Sequence, residues 1–233
     1  MSAVLAVEGL GLRFGAVTVL DGVTFTVEAG ERLALLGPNG AGKTSVLNCI
    51  SGAVRPGAGR VVLEGRDLDR VPPRRRAALG VARTFQSLGV VDDLDVGANL
   101  LLGRHPRLRA GLVATALALP AARGEEAGAR RRCAEVARAL DLDAAARAGD
   151  LPAGARKRLE LGRALAADPV LLLLDEPFAG TSVAEQQLMA AAIRAAADRG
   201  VAVVVVDHHV DALLAFASRR VELDGGRMAA TAP

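Results

Sequence analysis

Apolar positions follow two patterns along the chain. Short β-rich runs at Leu5–Val7, Thr18–Leu20 and Val23–Val27, parted by Gly and Asp turns, predict an antiparallel β edge. Continuous apolar runs at Arg32–Leu36, Val170–Leu174 and Val201–Val206, with shorter ones at Val61–Leu63 and Val81–Phe85, predict further strands. Between them, stretches at Ser45–Ser51 (stopped by Gly52), Ala155–Ala166, Ala184–Ala197 and Val210–Ala217 predict helices. Arg220–Leu223 and Arg227–Ala230 predict a terminal hairpin turning on Asp224-Gly225-Gly226. Strands with no polar face, alternating with helices, call for a parallel sheet covered on both sides. From Asn99 to about Ala148 the chain is rich in Ala, Leu and Arg and poor in β-branched residues, which predicts a helical subdomain.

Composition narrows the class. The 233 residues are 51% hydrophobic and 24% charged, enough for a buried α/β core and unlike a disordered chain. The net charge is +3, almost all of the positive charge being arginine, with lysine only at Lys43 and Lys157. The runs Arg74–Arg76 and Arg130–Arg132 read as solvated helix faces or partner contacts. Trp and Tyr, which would stack bases, are absent, so no nucleic-acid partner is expected. Cys49 and Cys133 have no His or Cys at metal spacing and read as buried small residues in a reducing compartment. The N-terminus lacks the pattern of a signal peptide. The weakly polar stretch from Gly111 to Ala122 falls short of the ~20 residues of a membrane-spanning helix. Any membrane role is therefore expected at the cytoplasmic surface.

The strongest chemical signal is Gly37-Pro38-Asn39-Gly40-Ala41-Gly42-Lys43-Thr44, the pattern G-x-x-x-x-G-K-[ST], lying between a predicted strand and a helix opening at Ser45. Backbone N–H groups of such a loop wrap a triphosphate, with Lys43 reaching the β and γ oxygens and the Thr44 hydroxyl available to Mg²⁺. The helix that follows points its positive end at the anion. Leu171–Leu174 then delivers two carboxylates at a buried strand end. Asp175 is suited to hold Mg²⁺ and Glu176 to polarise the attacking water as general base.

With these motifs the sequence resembles the ATPase subunits of ABC transporters over nearly its whole length. The resemblance implies an α/β P-loop NTPase core with a parallel sheet, an antiparallel β edge and an inserted helical subdomain. It places the core at 1–86 and 161–233 and the subdomain at 87–160. It also implies site residues: Phe14 against adenine, and Gln86 of Arg83-Thr84-Phe85-Gln86 touching Mg²⁺ and the lytic water. His208 after Val203–Val206 and Asp207 would contact the γ-phosphate, and Gly154 of Leu151-Pro152-Ala153-Gly154-Ala155 stands in the signature loop. Phe14 has the plainer alternative of a core ring, and Gln86 that of a polar loop residue. Arg83–Gln86, Asn99–Arg104, Arg158–Leu161 and Arg163–Leu165 further resemble importers of branched-chain amino acids and related amides.

The implied partners are transmembrane permease subunits and a homologous ATPase subunit, with ATP clamped between the Lys43 side of one and the Gly154 side of the other. Ala153, Ala155 and Ser182 depart from the family pattern, weakening the half of the machine that serves the neighbouring site. They favour a heterodimer with unequal sites. The alternative is a regulatory or non-transport ATPase of the same family with weak hydrolysis.

Overall fold

The computed structural model describes residues 3–84, 89–104, 120–207, 213 and 216–229. The chain divides into two compact units: Met1–Thr84, Val170–Ala179 and Arg194–Pro233 form one, Phe85–Pro169 and Gly180–Ile193 the other.

The first unit carries two sheets. Strands β1 (Leu5–Phe14), β2 (Val17–Val27), β4 (Ala58–Leu63) and β5 (Arg66–Asp67) form an antiparallel sheet in the order β2-β1-β4-β5. The β1–β2 ladder runs from Leu5 opposite Val27 to Phe14 opposite Val17, with register shifts on the way. Such irregularities let two long strands form where apolar periodicity marked three short runs. Strands β3 (Arg32–Leu36), β6 (Val81–Arg83), β7 (Leu171–Asp175), β8 (Ala202–Val206), β9 (Arg219–Asp224) and β10 (Arg227–Met228) form a second sheet. Its order is β10-β9-β3-β8-β7-β6, parallel except for the β9–β10 pair.

Every residue of β7 and β8 is buried, as the apolar runs Leu171–Leu174 and Ala202–Val206 require, and Asp175 is buried with them. Each fully buried aliphatic side chain favours folding by roughly 1.5–3 kcal/mol, so this pair of strands anchors the ends that carry the chemistry. The core continues into the antiparallel sheet through Leu5, Val7 and Leu10, and into helix α1 (Lys43–Ser51) through Val46, Leu47 and Ile50.

The arginine run at 74–76 does not form one solvated face. Arg74 and Arg75, on the short helix α2 (Pro73–Ala78), are exposed, but Arg76 is buried. Its guanidinium donates to the carbonyls of Cys49 and Ile50 at the end of α1 and to those of Leu68 and Val71. Helices end with carbonyls that lack intrahelical donors, and a planar group with five N–H donors satisfies several at once. Cys49 and Cys133 are buried and free, as expected.

The second unit holds helices α3 (Val96–Arg104), α4 (Pro120–Ala139) and α5 (Ala153–Ala166), a 3₁₀ turn at Ala148–Asp150, and the start of α6 (Val183–Ala197). Helices α3 and α5 meet at Gly103, where a Cβ would lie 2.2 Å from the Arg163 carbonyl oxygen. Buried Asn99 closes the loop before α3 by bonding both the N–H and the C=O of Val91. Arg104 and Arg132 converge on Asp168, which leaves Arg130 and Arg131 as the exposed members of the second arginine run. Among the described residues, no helix is long and apolar enough to cross a membrane.

Candidate functional site

The loop from Gly37 to Gly42 joins β3 to α1, and its shape is dictated by glycine. Gly37 has φ 144°, and a Cβ there would sit 2.1 Å from the Leu223 carbonyl oxygen of β9. Gly42 lies in the left-handed region at φ 100° and precedes α1 without a side-chain cap. The first N–H groups of α1 therefore face an anion site rather than a capping oxygen. Beside them is a cavity of about 440 Å³ lined by Asn39, Gly40, Gly42, Lys43, Thr44, Ser45 and Glu176, with Val19 and Val206 as apolar walls.

Lys43 is buried and folds back over its own loop, donating to the carbonyls of Gly37 at 2.7 Å and Pro38 at 2.8 Å. Burial lowers its pKa, while the charges of Glu176 and Asp175 act to raise it. Both of its carbonyl acceptors belong to the Gly37–Gly42 loop, so the side-chain amine is held against that loop beside the cavity.

Asp175 ends β7 and is buried. Its Oδ1 lies 3.4 Å from Thr44 Oγ1, its Oδ2 accepts from Arg83 at 3.0 Å, and its amide donates to Thr84 Oγ1. A hydroxyl and a carboxylate oxygen side by side are hard donors of the kind Mg²⁺ takes, alongside water and phosphate oxygens. Triphosphate and Mg²⁺ thus fit the residues present. Glu176 follows in the left-handed region at φ 49°, its amide donating to Val206 O at 2.7 Å. Left-handed backbone at a non-glycine residue costs about 1–3 kcal/mol and persists where its surroundings impose it. Glu176 lines the cavity beside Lys43 and Thr44.

Phe14 stands 56% exposed at the tip of the β1–β2 hairpin, which removes the alternative of a core ring. Gln86 and His208 lie outside the described residues. Gly154 is the second residue of α5. Within the same unit a Cβ on it would fall 1.7 Å from Glu185 Oε1, so glycine here leaves room for a carboxylate. Glu185 is held by Ser182, whose N–H and hydroxyl both donate to Oε2 at 2.8 Å, a reciprocal cap at the start of α6. Ser182 is thus engaged in capping, and Ala155 is buried.

Sequence reasoning passed over several supporting residues. Asp207, buried at the end of β8, accepts from the Phe178 N–H at 3.0 Å and ties down the turn after Glu176. Arg83 was visible only as part of a resemblance. A signal was present in α1, where Thr44, Asn48 and Ser51 form a polar i, i+4, i+7 stripe beside the apolar Val46, Leu47, Cys49 and Ile50.

A parallel sheet with a glycine loop at the end of β3, a lysine over that loop and paired carboxylates at the end of β7, one strand removed, defines a P-loop nucleotide-hydrolysing domain. The family model described as ABC transporter matches residues 20–179. BraF of Pseudomonas aeruginosa, a high-affinity branched-chain amino acid transport ATP-binding protein, is 32% identical over 96% of this chain and 89% of its own. LivG of Salmonella typhimurium, of the same description, is 38% identical over 78% of this chain and 72% of its own. The ribose import ATP-binding protein RbsA 1 of Streptomyces avermitilis is 33% identical over 98% of this chain but only 42% of its own. Among solved structures, MJ1267, an ATP-binding cassette of an ABC transporter in its ADP conformation, superposes with TM-score 0.84 at 27% identity. That match covers 99% of this chain and 91% of MJ1267. The chain belongs to the ABC transporter family and is an ATP-binding ATPase of that family.

Proposed function

We propose that the chain is the ATP-hydrolysing subunit of a membrane importer for branched-chain amino acids or related amides. The observation that carries the chemical part is the convergence of Lys43, Thr44 and Glu176 on one cavity at the start of α1, with Asp175 against Thr44. The loop amides of 37–42 and the N–H groups of Lys43, Thr44 and Ser45 bind the β- and γ-phosphates. Lys43 exchanges its loop carbonyls for phosphate oxygens, and the exposed ring of Phe14 stacks on adenine. Thr44 and Asp175 would hold Mg²⁺, with Gln86 completing its surroundings. Bound there, Mg²⁺ supplies neutralisation of charge on the phosphate oxygens. Glu176 accepts a proton from water as the water oxygen attacks the γ-phosphorus, and the bond to the β–γ bridging oxygen breaks to leave ADP. His208 steadies the γ-phosphate.

The substrate reading is supported by the amino-acid transport relatives, which match across most of their own length, whereas the ribose relative is matched over less than half of its own. Gly154 is read as the donor to ATP on a second, homologous subunit. A heterodimer is favoured because Ala153, Ala155 and Ser182 give this chain's own signature side fewer polar groups. Hydrolysis then releases a closure held by the nucleotide. We read the unit of α3, α4 and α5 as the helical subdomain that docks the permease subunits at the inner face of the membrane.

The test is Glu176→Gln in the reconstituted transporter. Binding of mant-ATP should persist, because Lys43 and the loop amides are intact, while turnover falls by about 10²–10⁴-fold. Wild-type turnover would overturn the assignment. Uptake of labelled leucine by the same proteoliposomes, against labelled ribose, tests the substrate.

A further inference from the structure

We propose that Arg83 is a positioning residue for the metal side of the site: it fixes one oxygen of Asp175 so that the other is presented to Thr44. The proposal rests on the reading of Asp175 and Thr44 as the Mg²⁺ pair.

The observations begin with helix α1. Thr44, Asn48 and Ser51 line one face of a helix whose other residues include buried Val46, Leu47, Cys49 and Ile50. A polar stripe in such a helix needs polar partners: Thr44 meets Asp175, and Arg83 takes Asn48 and Ser51. One terminal nitrogen of its guanidinium donates to Asn48 Oδ1 at 2.6 Å and Ser51 Oγ at 3.1 Å. The other donates to Asp175 Oδ2 at 3.0 Å. The Arg83 and Asp175 side chains are only 7% and 4% exposed, so water competes little for either.

Geometry then assigns the two carboxylate oxygens different tasks. Oδ2 is committed to a charge-assisted bond, while Oδ1 meets Thr44 Oγ1 at 3.4 Å, a long contact that is readily exchanged. A carboxylate with one oxygen fixed cannot rotate both away from the threonine. A guanidinium is suited to this because its donors lie in one rigid plane and span α1 and β7 together, which the single ammonium of lysine cannot do. The arrangement has a further consequence. Arg83 ends β6 and Thr84 follows it, and Thr84 Oγ1 accepts from the Asp175 amide, so these two residues are tied to Asp175 through both its amide and its carboxylate.

A cation beside a metal site also repels the metal, so charge and positioning predict opposite results. If charge alone mattered, Arg83→Gln would tighten Mg²⁺ and Arg83→Lys would leave it unchanged. If positioning dominates, both variants weaken it. Replacing an outer partner of a metal ligand typically lowers metal affinity about 10–100-fold.

The experiment titrates MgCl₂ into the full chain with mant-ATP and reads nucleotide fluorescence, alongside binding of mant-ATP in EDTA. Arg83→Lys and Arg83→Gln should both raise the half-saturating Mg²⁺ concentration by about 10–100-fold, with metal-free nucleotide affinity within about twofold of wild type. Should either variant fail to fold, Asn48→Ala and Ser51→Ala loosen the guanidinium from its far side and should move the Mg²⁺ titration in the same direction. Unchanged Mg²⁺ dependence in the folded variants, or tighter Mg²⁺ in Arg83→Gln, would overturn the proposal. Asp175→Asn is the control for the reading beneath it. If Asp175→Asn leaves the Mg²⁺ titration unchanged, the metal assignment fails; if it abolishes the titration while the Arg83 variants do not move it, only the positioning role fails.

Discussion

Gly37→Ala separates the two demands that the phosphate loop makes on its first residue. The backbone there has φ 144°, and the added methyl would lie 2.1 Å from the carbonyl oxygen of Leu223 and 3.1 Å from its carbon. These are backbone atoms of β9, which pairs with β3 through Leu36 opposite Glu222, so the obstacle cannot swing aside as a side chain would. Strained backbone costs about 1–3 kcal/mol and overpacking about another 1–3 kcal/mol. Narrowing of the unfolded ensemble by alanine returns about 0.4–1 kcal/mol. The net loss expected is about 1–6 kcal/mol, a large share of a typical domain's 5–15 kcal/mol. Gly40→Ala is the control: φ is 81°, but nothing lies within 4 Å of the added methyl. Its loss should be about 0–3 kcal/mol, since the steric term drops out. Urea unfolding followed by circular dichroism, with unchanged m-values, gives both numbers. A Gly37→Ala protein as stable as Gly40→Ala would refute the steric argument.

Two further predictions follow from burial. Half-buried Glu160 has its pKa raised by desolvation, with Lys157, Arg156 and Arg163 acting in the opposite direction. The folded chain therefore holds the proton more tightly than the unfolded chain, and stability falls as pH climbs from the ordinary glutamate range through the raised folded value. Glu160→Gln should accordingly raise Tm at about pH 8 and leave it nearly unchanged at about pH 3, where both residues are neutral. An equal gain at both pH values would contradict this. Cys49 is fully buried and its thiol is pushed up to about 11 by desolvation. At about pH 8 its thiolate is roughly one part in a thousand, so a thiol reagent should label it only at the rate of unfolding. Rapid labelling of Cys49 in the native protein would show that helix α1 opens more readily than its packing implies.

Sequence alone determined the parts whose physics is local. Gly37–Thr44 is a run of adjacent residues in which glycine sets the backbone and the following helix supplies its dipole, so the phosphate loop was legible without any partner. Asp175 and Glu176 were legible for the same reason, as neighbours at the end of an unbroken apolar strand. What only the tertiary structure decided lies between residues far apart in the chain. Arg83 reaches Asp175 across 92 positions, and Asn48 and Ser51 meet it from a different element. Arg76 is drawn inward by the carbonyls of Cys49 and Ile50, which no run of three arginines announces. Gly154 proved to be the neighbour of Glu185, and Ser182 a cap for the start of α6. Each of these depends on where a buried charge or an unsatisfied carbonyl finds its partner. That requirement is strict inside a protein because leaving such a group unpaired costs several times what an ordinary hydrogen bond contributes, yet sequence records only one side of each pair.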